Sequence, residues 1–340
     1  MAERFSVAIA GAGLMGHWHA RYARQCGASV SGIMDCDLVA AQRLARRIPS
    51  ARPYADMGEM IASCRPQVVH ICTPIDSHVQ LAQDAMRAGA HVLMEKPIAP
   101  NAAISRDLLA TAAQSGLLLA PVHQFLFQDG FRQACKWSSG LGRILHIDAD
   151  FCSAGGEGAN PNRLDEIAAE ILPHPLAMIE RLVPGTLSKV AWHAVRTSAG
   201  EWRASGAVNG LSMAILISLH GRPTESSMRI VAERGVIDLD LFHGFATIDT
   251  VGSTRAAKIG RPFRGSAKRL GKASWNLLWR LATREFAYPG LRRLISEFYE
   301  AVHIGTNGPI GVDEIIAVCD ACDFLKESIL RGERRTNSAE

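Results

Sequence analysis

The opening stretch FSVAIAGAGLMGHWHARYARQCGASVSGIMD, residues 5–35, limits the fold more than any other part of the chain. Phe5 to Ala10 reads as a buried strand. Gly11, Gly13 and Gly16 follow in GxGxxG spacing, and a helix is predicted from Leu14 to Gln25, stopped by Gly27. Ala28 to Met34 reads as a second strand ending at Asp35, which stands 19 residues after Gly16. Each residue has a physical task. Gly11 permits the tight turn, Gly13 lets a pyrophosphate approach the backbone, and Gly16 lets the helix pack close to the sheet. The first helical residues, Leu14 and Met15, present backbone N–H groups that suit phosphate. Asp35 suits ribose hydroxyls and repels a 2′-phosphate, and it is followed by Cys36 and Asp37 with no immediate cation. NAD(H) is therefore favoured, with NADP(H) kept open by Arg43.

The alternation continues beyond Asp35. EMIASCRP reads as a helix and QVVHIC as a strand ending at Thr73-Pro74. SHVQLAQDAMRAG is a helix and HVLM a strand ending at Glu95-Lys96-Pro97; NAAISRDLLATAAQSG is a helix and LLLA a strand before Pro121. This rhythm predicts a doubly wound parallel sheet. Ligands in such folds gather beyond the carboxyl ends of the strands, where Gly11, Asp35, Thr73, Glu95 and Lys96 all fall. An ammonium at Lys96 can donate a proton or polarise a carbonyl oxygen, or it can pair with Glu95 or a phosphate and only aid binding.

Composition sets the class. The chain has 340 residues, enough for two domains with real cores, and no run approaches the roughly 18 apolar residues needed to cross a bilayer. The first apolar run leads into a glycine turn, so no signal peptide is expected. Eight cysteines are scattered, and Cys319 and Cys322 lie in an amphipathic helix without a second ligand pair. No disulfide scaffold, zinc site or other metal is expected, and the expected compartment is reducing cytoplasm.

At this point the chain resembles the Gfo/Idh/MocA family, named for glucose-fructose oxidoreductase and inositol dehydrogenase. The matching stretches are AGAGLMGHWHA, VVHICTPIDSHVQLAQDAMRAGAHVLMEKPIA and LGRI at Leu141 to Ile144. The resemblance implies an α/β chain: an N-terminal Rossmann domain, then an α+β domain with a large, mostly antiparallel sheet. It implies oxidation or reduction at a carbinol carbon of a sugar, cyclitol or related compound. By resemblance, Lys96 is the EKP lysine that orients substrate and assists proton transfer. Lys96-Pro97 is a candidate cis bond, and Thr73, Pro74 and His78 line the cofactor cleft. Domains of residues 1–121 and 122–340 are expected, with an insert-like basic segment at 251–295.

From Val122 the rhythm breaks. FRQACKWSSG reads as a helix, and GRILHIDADFCS, SKVAWHAVR, GLSMAILISLH, SSMRIVAERGVIDLDLF and FATIDTV read as strands. RLDEIAAEILPHPLAMIERLV places Glu170 and His174 four apart, with Pro173 and Pro175 preventing one uninterrupted helix. A carboxylate near imidazole can set its tautomer. The family motif here has the form D-x-G-x-H-x-x-D/N, which implies His174 as general base and Glu170 as a substrate contact. Pro173 and Ala177 depart from it, and Leu126 in VHQFLF stands where the family often has arginine. His123, Asn162 and Arg163 are further candidate substrate contacts. His17 and His19 read as cleft or packing residues, and His243 as structural.

Between Val251 and Ile295 there are eleven Lys or Arg and one acid, Glu285, a local charge of +10 against −6 for the rest. Trp275, Leu278, Trp279 and Leu281 sit among these cations. Residues 255–284 therefore read either as a membrane-surface helix or as a solvated lid or dimer-contact helix; nucleic acid is not expected. The leading reading is NAD(P)-dependent oxidoreduction of a sugar-like substrate by a homodimer or homotetramer. The rivals are NAD-assisted redox-neutral elimination or glycoside cleavage, and a non-catalytic dinucleotide-binding sensor or partner protein.

Overall fold

The computed structural model describes residues 5–250 and 259–336. The chain folds into two compact units. The first runs up to His123 and also takes Leu291–Cys319; the second holds Gln124–Gly290 and the residues from Asp320 on.

The first unit is built on a six-stranded sheet of β1 (Ser6–Ala10), β2 (Ser29–Met34), β3 (Arg52–Tyr54), β4 (Val68–Ile71), β5 (His91–Met94) and β6 (Leu119–Pro121). The strand order is β3-β2-β1-β4-β5-β6, all parallel. Order reverses between β1 and β4, which is where such a sheet opens a crevice for ligand. Val7, Ile9, Val68, Ile71, Val92 and Leu93 are fully buried, as expected for strands covered on both faces. The connecting helices are α1 (Leu14–Gln25), α2 (Leu38–Ala45), α3 (Met57–Cys64), α4 (His78–Arg87) and α5 (Ala102–Gln114). Asp37, Asp56 and Asn101 cap α2, α3 and α5 by accepting from backbone N–H groups of the first turn. The sequence pattern did not mark α2 or the three-residue strand β3.

The second unit centres on a seven-stranded sheet of β7 (Ile144–Cys152), β8 (Ala191–Ser198), β9 (Glu201–Val208), β10 (Leu211–Ser218), β11 (Glu225–Ala232), β12 (Gly235–Asp240) and β13 (Phe245–Thr250). The order is β13-β12-β11-β7-β10-β9-β8, antiparallel throughout except for β7 beside β10. Ile147, Ala149 and Phe151 of β7 lie opposite Met213, Ile215 and Ile217 of β10, and these six form a buried stripe. Helices α6 (Asp129–Ser138), α7 (Pro161–Ile171) and α8 (Pro173–Leu182) accompany the sheet. The α7–α8 break falls at Leu172, directly before Pro173, because proline lacks an amide donor and clashes with the preceding turn.

Helix α9 (Arg261–Ala282) follows β13, while Arg255 and Lys258 of the basic segment lie outside the described residues. Next come α10 (Leu291–Ile304) and α11 (Val312–Thr336). The sequence reading drew one boundary at 121/122, but α10 groups with the first unit. Its Leu294, Ile295 and Phe298 are fully buried there, and Tyr299 packs its ring on Phe5 at 5.1 Å.

Asp165 of α7 ties that helix to the β8–β9 hairpin. Its carboxylate accepts from Arg196 Nε and Nη2 (3.0 and 2.9 Å to Oδ2), from Gly200 N–H (2.9 Å) and from Trp202 Nε1 (3.0 Å). Burial alone would raise its pKa, but the Arg196, Gly200 and Trp202 bonds together hold it below the usual carboxylate range. A depressed carboxylate pKa stabilises the fold above the unfolded value of about 3.9, and this is lost as pH falls through the folded value. Asp165→Ala is expected to cost about 2–3 kcal/mol at neutral pH, measured by urea unfolding, with a smaller difference at about pH 3.

Candidate functional site

The first unit places its polar groups at the carboxyl edge of the parallel sheet. Gly11 follows β1 with φ +99°, and a Cβ there would lie 2.6 Å from the carbonyl oxygen of Cys72. A Cβ on Gly16 would lie 1.9 Å from Gly11 O, so the first turn of α1 rests on the loop that precedes it. Gly13 differs: a Cβ there meets nothing within 4 Å, and the residue is exposed. It is also the N-cap of α1, with no side chain capping the helix. The N–H groups of the first turn, from Leu14 and Met15 onward, therefore lack the usual side-chain cap beside open space, which fits a pyrophosphate.

Asp35 closes the other side of this loop. Its Oδ2 accepts from Ala12 N–H at 2.7 Å and its Oδ1 from Asp37 N–H at 2.9 Å. A carboxylate offers about four acceptor positions, so two bonds fix its orientation and leave capacity for ribose hydroxyls. The residues present thus fit a dinucleotide.

Thr73 and Pro74 follow β4, and Ser77 donates from Oγ to Thr73 Oγ1 at 2.7 Å. His78 is buried, with Nε2 2.9 Å from Thr73 O and Nδ1 2.9 Å from Pro97 O. The ring thereby links the loop after β4 to the turn after β5, which carries Glu95 and Lys96. Lys96-Pro97 is cis, and Lys96 is half-buried. His123 lies two residues beyond β6, buried at the same sheet edge.

Behind Glu95 runs a buried polar chain. His19 Nε2 lies 3.2 Å from Glu95 Oε1, His19 Nδ1 lies 2.8 Å from His70 Nδ1, and His70 Nε2 lies 2.8 Å from Tyr299 Oη. Burial, reinforced by His19, pushes the His70 pKa well down, and burial raises Tyr299 well above its ordinary value. His70 is therefore neutral, donating from one ring nitrogen and accepting at the other, and the phenol keeps its proton. The Glu95 carboxylate accepts from His19 Nε2 at the outer end of this chain, beside Lys96. Burial, then the charge of Glu95, also pushes the Cys72 thiol well up.

In the second unit, His174 occupies the first turn of α8 and is buried. Its ring meets Phe125 edge-on at 4.7 Å and lies nearly parallel to Phe151 at 6.5 Å. Glu170, one turn earlier, pairs with Arg163 Nη1 at 3.1 Å, and the same nitrogen meets Glu166 at 3.0 Å. Asn162 and Arg163 are exposed on the first turn of α7. His243 caps the β12–β13 turn, its Nδ1 2.9 Å from the Asp240 carboxylate, a structural task.

Sequence reasoning missed the chain behind Glu95 and the aromatic seat of His174. One signal was available for the first: a histidine inside QVVHIC, a strand buried on both faces, must find partners.

Residues 5–123 match the GFO_IDH_MocA model, described as an oxidoreductase family with an NAD-binding Rossmann fold. The uncharacterized oxidoreductase YhhX of Escherichia coli (strain K12) is 34% identical over 99 residues, 28% of this chain and 29% of that protein. Inositol 2-dehydrogenase 2 of Paenarthrobacter aurescens (strain TC1) is 28% identical over 241 residues, 67% of this chain and 70% of that one. The solved complex of levoglucosan dehydrogenase with NADH and levoglucosan has a TM-score of 0.77 at 18% identity, covering 97% of this chain and 98% of that one. The first unit is thus similar to the NAD-binding domain of the Gfo/Idh/MocA oxidoreductases, and the chain shares the fold of levoglucosan dehydrogenase. Its matched stretch spans about a third of the length of three curated relatives.

Two outcomes follow from the buried chain. Tyr299→Phe leaves His70 Nε2 without its hydrogen-bond partner and is expected to cost about 1–3 kcal/mol in urea unfolding at neutral pH. A histidine held neutral by the fold binds its proton only on unfolding, so stability falls as pH drops below the unfolded value of about 6.5. Urea unfolding between about pH 7.5 and 5.5 is expected to show that fall, with a shallower slope in His70→Asn.

Proposed function

We propose that this chain is a dehydrogenase or reductase that interconverts CH–OH and C=O at one carbon of a sugar, cyclitol or sugar conjugate, with NAD(H) preferred over NADP(H). The observation that carries the proposal is one sheet edge bearing both the open glycine turn at Gly13 and the Glu95-Lys96 pair. The sugar ligand of levoglucosan dehydrogenase and the name of the inositol relative support the substrate class.

Gly11, Gly13, Leu14, Met15 and Gly16 hold the pyrophosphate, Asp35 the adenosine ribose, and Thr73 and Pro74 the nicotinamide half. When bound, the nicotinamide supplies the hydride acceptor or donor. Lys96 donates a hydrogen bond to the carbinol oxygen and stabilises negative charge that develops there. His174 takes the hydroxyl proton in oxidation and returns it in reduction. One hydride and one proton leave the carbinol, and C=O results. Glu170 and Arg163, already paired, contact the hydroxyl groups of the substrate with Asn162 and His123. Glu95 and His78 are positioning residues that fix the Lys96 turn. The protein works in the cytoplasm as a homodimer or homotetramer, which size-exclusion chromatography with light scattering tests.

Titration with NADH and NADPH, followed by nicotinamide absorbance with a panel of cyclitols, sugars and sugar nucleotides, tests this reading. NADH is expected to bind tighter, and Asp35→Ala to weaken it by about tenfold or more through loss of charge-assisted bonds. Lys96→Met and His174→Asn are each expected to lower kcat by about 10²–10⁴. Full turnover in both variants overturns the assigned chemistry, as does NADH binding without turnover across the panel.

A further inference from the structure

The carboxylate of Glu95 is turned inward. Its side chain is 12% exposed, and Oε1 accepts from His19 Nε2 at 3.2 Å. His19 of α1 is fully buried, and so is His70 of β4. A carboxylate can only accept, so Nε2 of His19 carries a hydrogen whichever way the rest of the chain is polarised. Behind it, His70 Nδ1 lies 2.8 Å from His19 Nδ1, with the two rings edge to face, and Tyr299 Oη lies 2.8 Å from His70 Nε2. These contacts fix the plane of the His19 ring. Tyr299 is fixed in turn by Phe5, whose ring packs on it. Side chains from α1, β4 and α10 thus act in series on one carboxylate, next to Lys96.

Two imidazoles and a phenol are costly in a core unless they serve a polar group, and the group served here is Glu95. The service matters because of what the carboxylate would do without it. Released from His19, an anion with little access to water has a cation beside it in sequence, Lys96, and their attraction is strong where water is scarce. An ammonium drawn onto its neighbour is already compensated and gives less to a substrate oxygen. The loose carboxylate would also oppose the negative charge that develops on the carbinol oxygen. Held on His19, it does neither. The other titratable groups around this turn do not take over the task. Burial, then the charge of Glu95, pushes the Cys72 thiol well up, so it stays protonated, and both ring nitrogens of His78 face carbonyls, of Thr73 and Pro97.

We propose that His19 is a positioning residue for the reaction. It keeps the Glu95 carboxylate turned into the protein, with His70 and Tyr299 holding its ring, so that Lys96 meets the carbinol oxygen instead of its own neighbour. The proposal rests on the dehydrogenase reading for the task of Lys96; the seat of the carboxylate does not.

The test combines lysine titration with kinetics. The chain has seven lysines, so carbon-13 dimethylation of the full-length protein gives few resonances, and Lys96→Arg identifies that of Lys96. In His19→Leu the released carboxylate is expected to raise the titration midpoint of that resonance by about 1 pH or more, because a nearby opposite charge favours the ammonium. In the unmethylated variant kcat is expected to fall at least about tenfold, with NADH binding close to the parent's. His19→Leu/Glu95→Gln removes the loose charge and is expected to reverse both changes. His19→Gln keeps an N–H donor in place and is expected to show neither. An unmoved midpoint in His19→Leu overturns the proposal, as does a loss of kcat that the double variant fails to recover, which marks packing alone. Should His19→Leu not fold, Tyr299→Phe is read in its place, with the same direction expected and the absence of a shift overturning the proposal. Shifted midpoints in a protein whose parent turns over no substrate overturn the dehydrogenase reading, and the proposal falls with it although the contact stands.

Discussion

A side chain at position 16 would put its Cβ 1.9 Å from Gly11 O, closer than any real contact allows. The first unit depends on that missing atom. Because Gly16 lacks it, α1 starts directly on the turn after β1. Because Gly11 adopts φ +99° beside Cys72 O, that turn fits against the start of the loop after β4. These contacts lie at the reversal of strand order between β1 and β4. The sheet can bury both faces with apolar side chains, yet its backbone must stay open here, and the first turn of α1 has no side-chain cap. The same steric condition that lets helix and sheet pack thus leaves backbone donors ready for an anion.

The edge of such a sheet also raises an electrostatic problem. Glu95 follows the buried apolar residues Val92, Leu93 and Met94 and its side chain is 12% exposed, so its charge needs donors from inside the protein. His19 Nε2 supplies one. His70, held neutral by burial, donates from one ring nitrogen and accepts at the other. The phenol of Tyr299 closes the inner end because burial keeps its proton in place. The chain joins α1, β4, β5 and α10, so the orientation of Glu95 is coupled to elements far apart in sequence. Its neighbour Lys96 sits on a turn that His78 holds from the other side. Two sets of buried histidine contacts therefore converge on three consecutive residues.

What was legible in the sequence follows from the range over which each interaction acts. Strands β1, β2, β4 and β5 were readable because burial on both faces makes them apolar runs, and helices α1, α4 and α5 because glycines follow their last turns. The break at Pro173 was readable because proline acts on its own backbone. Helix α2 is eight residues long, β3 is three residues with a proline, and β9 carries Ala, Ser and Gly where a strand pattern needs bulk. Weak local signals left all three unmarked. The glycine turn and Asp35 were legible because their geometry is local. The polar chain was not, since His19 and His70 are 51 residues apart and His70 and Tyr299 are 229 apart. The pattern of α10 showed that it must pack, without showing on which unit.

Helix α9 extends this contrast between local pattern and context. Its sequence alone shows cations and large apolar side chains mixed along one helix, and such a pattern fits a core-facing helix as well as a presented one. The anchoring contacts decide between them. Hydrogen bonds to carbonyls are worth about 0.5–1.5 kcal/mol each, or somewhat more when the donor is charged. Burying one Phe or Leu is worth about 1.5–3 kcal/mol. A helix free to roll would therefore turn Phe263, Leu270, Leu277 and Leu281 onto its own sheet. Doing so would place the cations of the opposite side in water but leave Asp240 and Asp249 without their arginines, and would break the bonds of Arg280 to three carbonyls. The tether is electrostatic and the presented face is hydrophobic, so the two respond to different conditions. Salt weakens the pairing of Arg261 and Arg269 with Asp249 and Asp240 without changing the apolar stripe, so tether and stripe can be separated on this one helix.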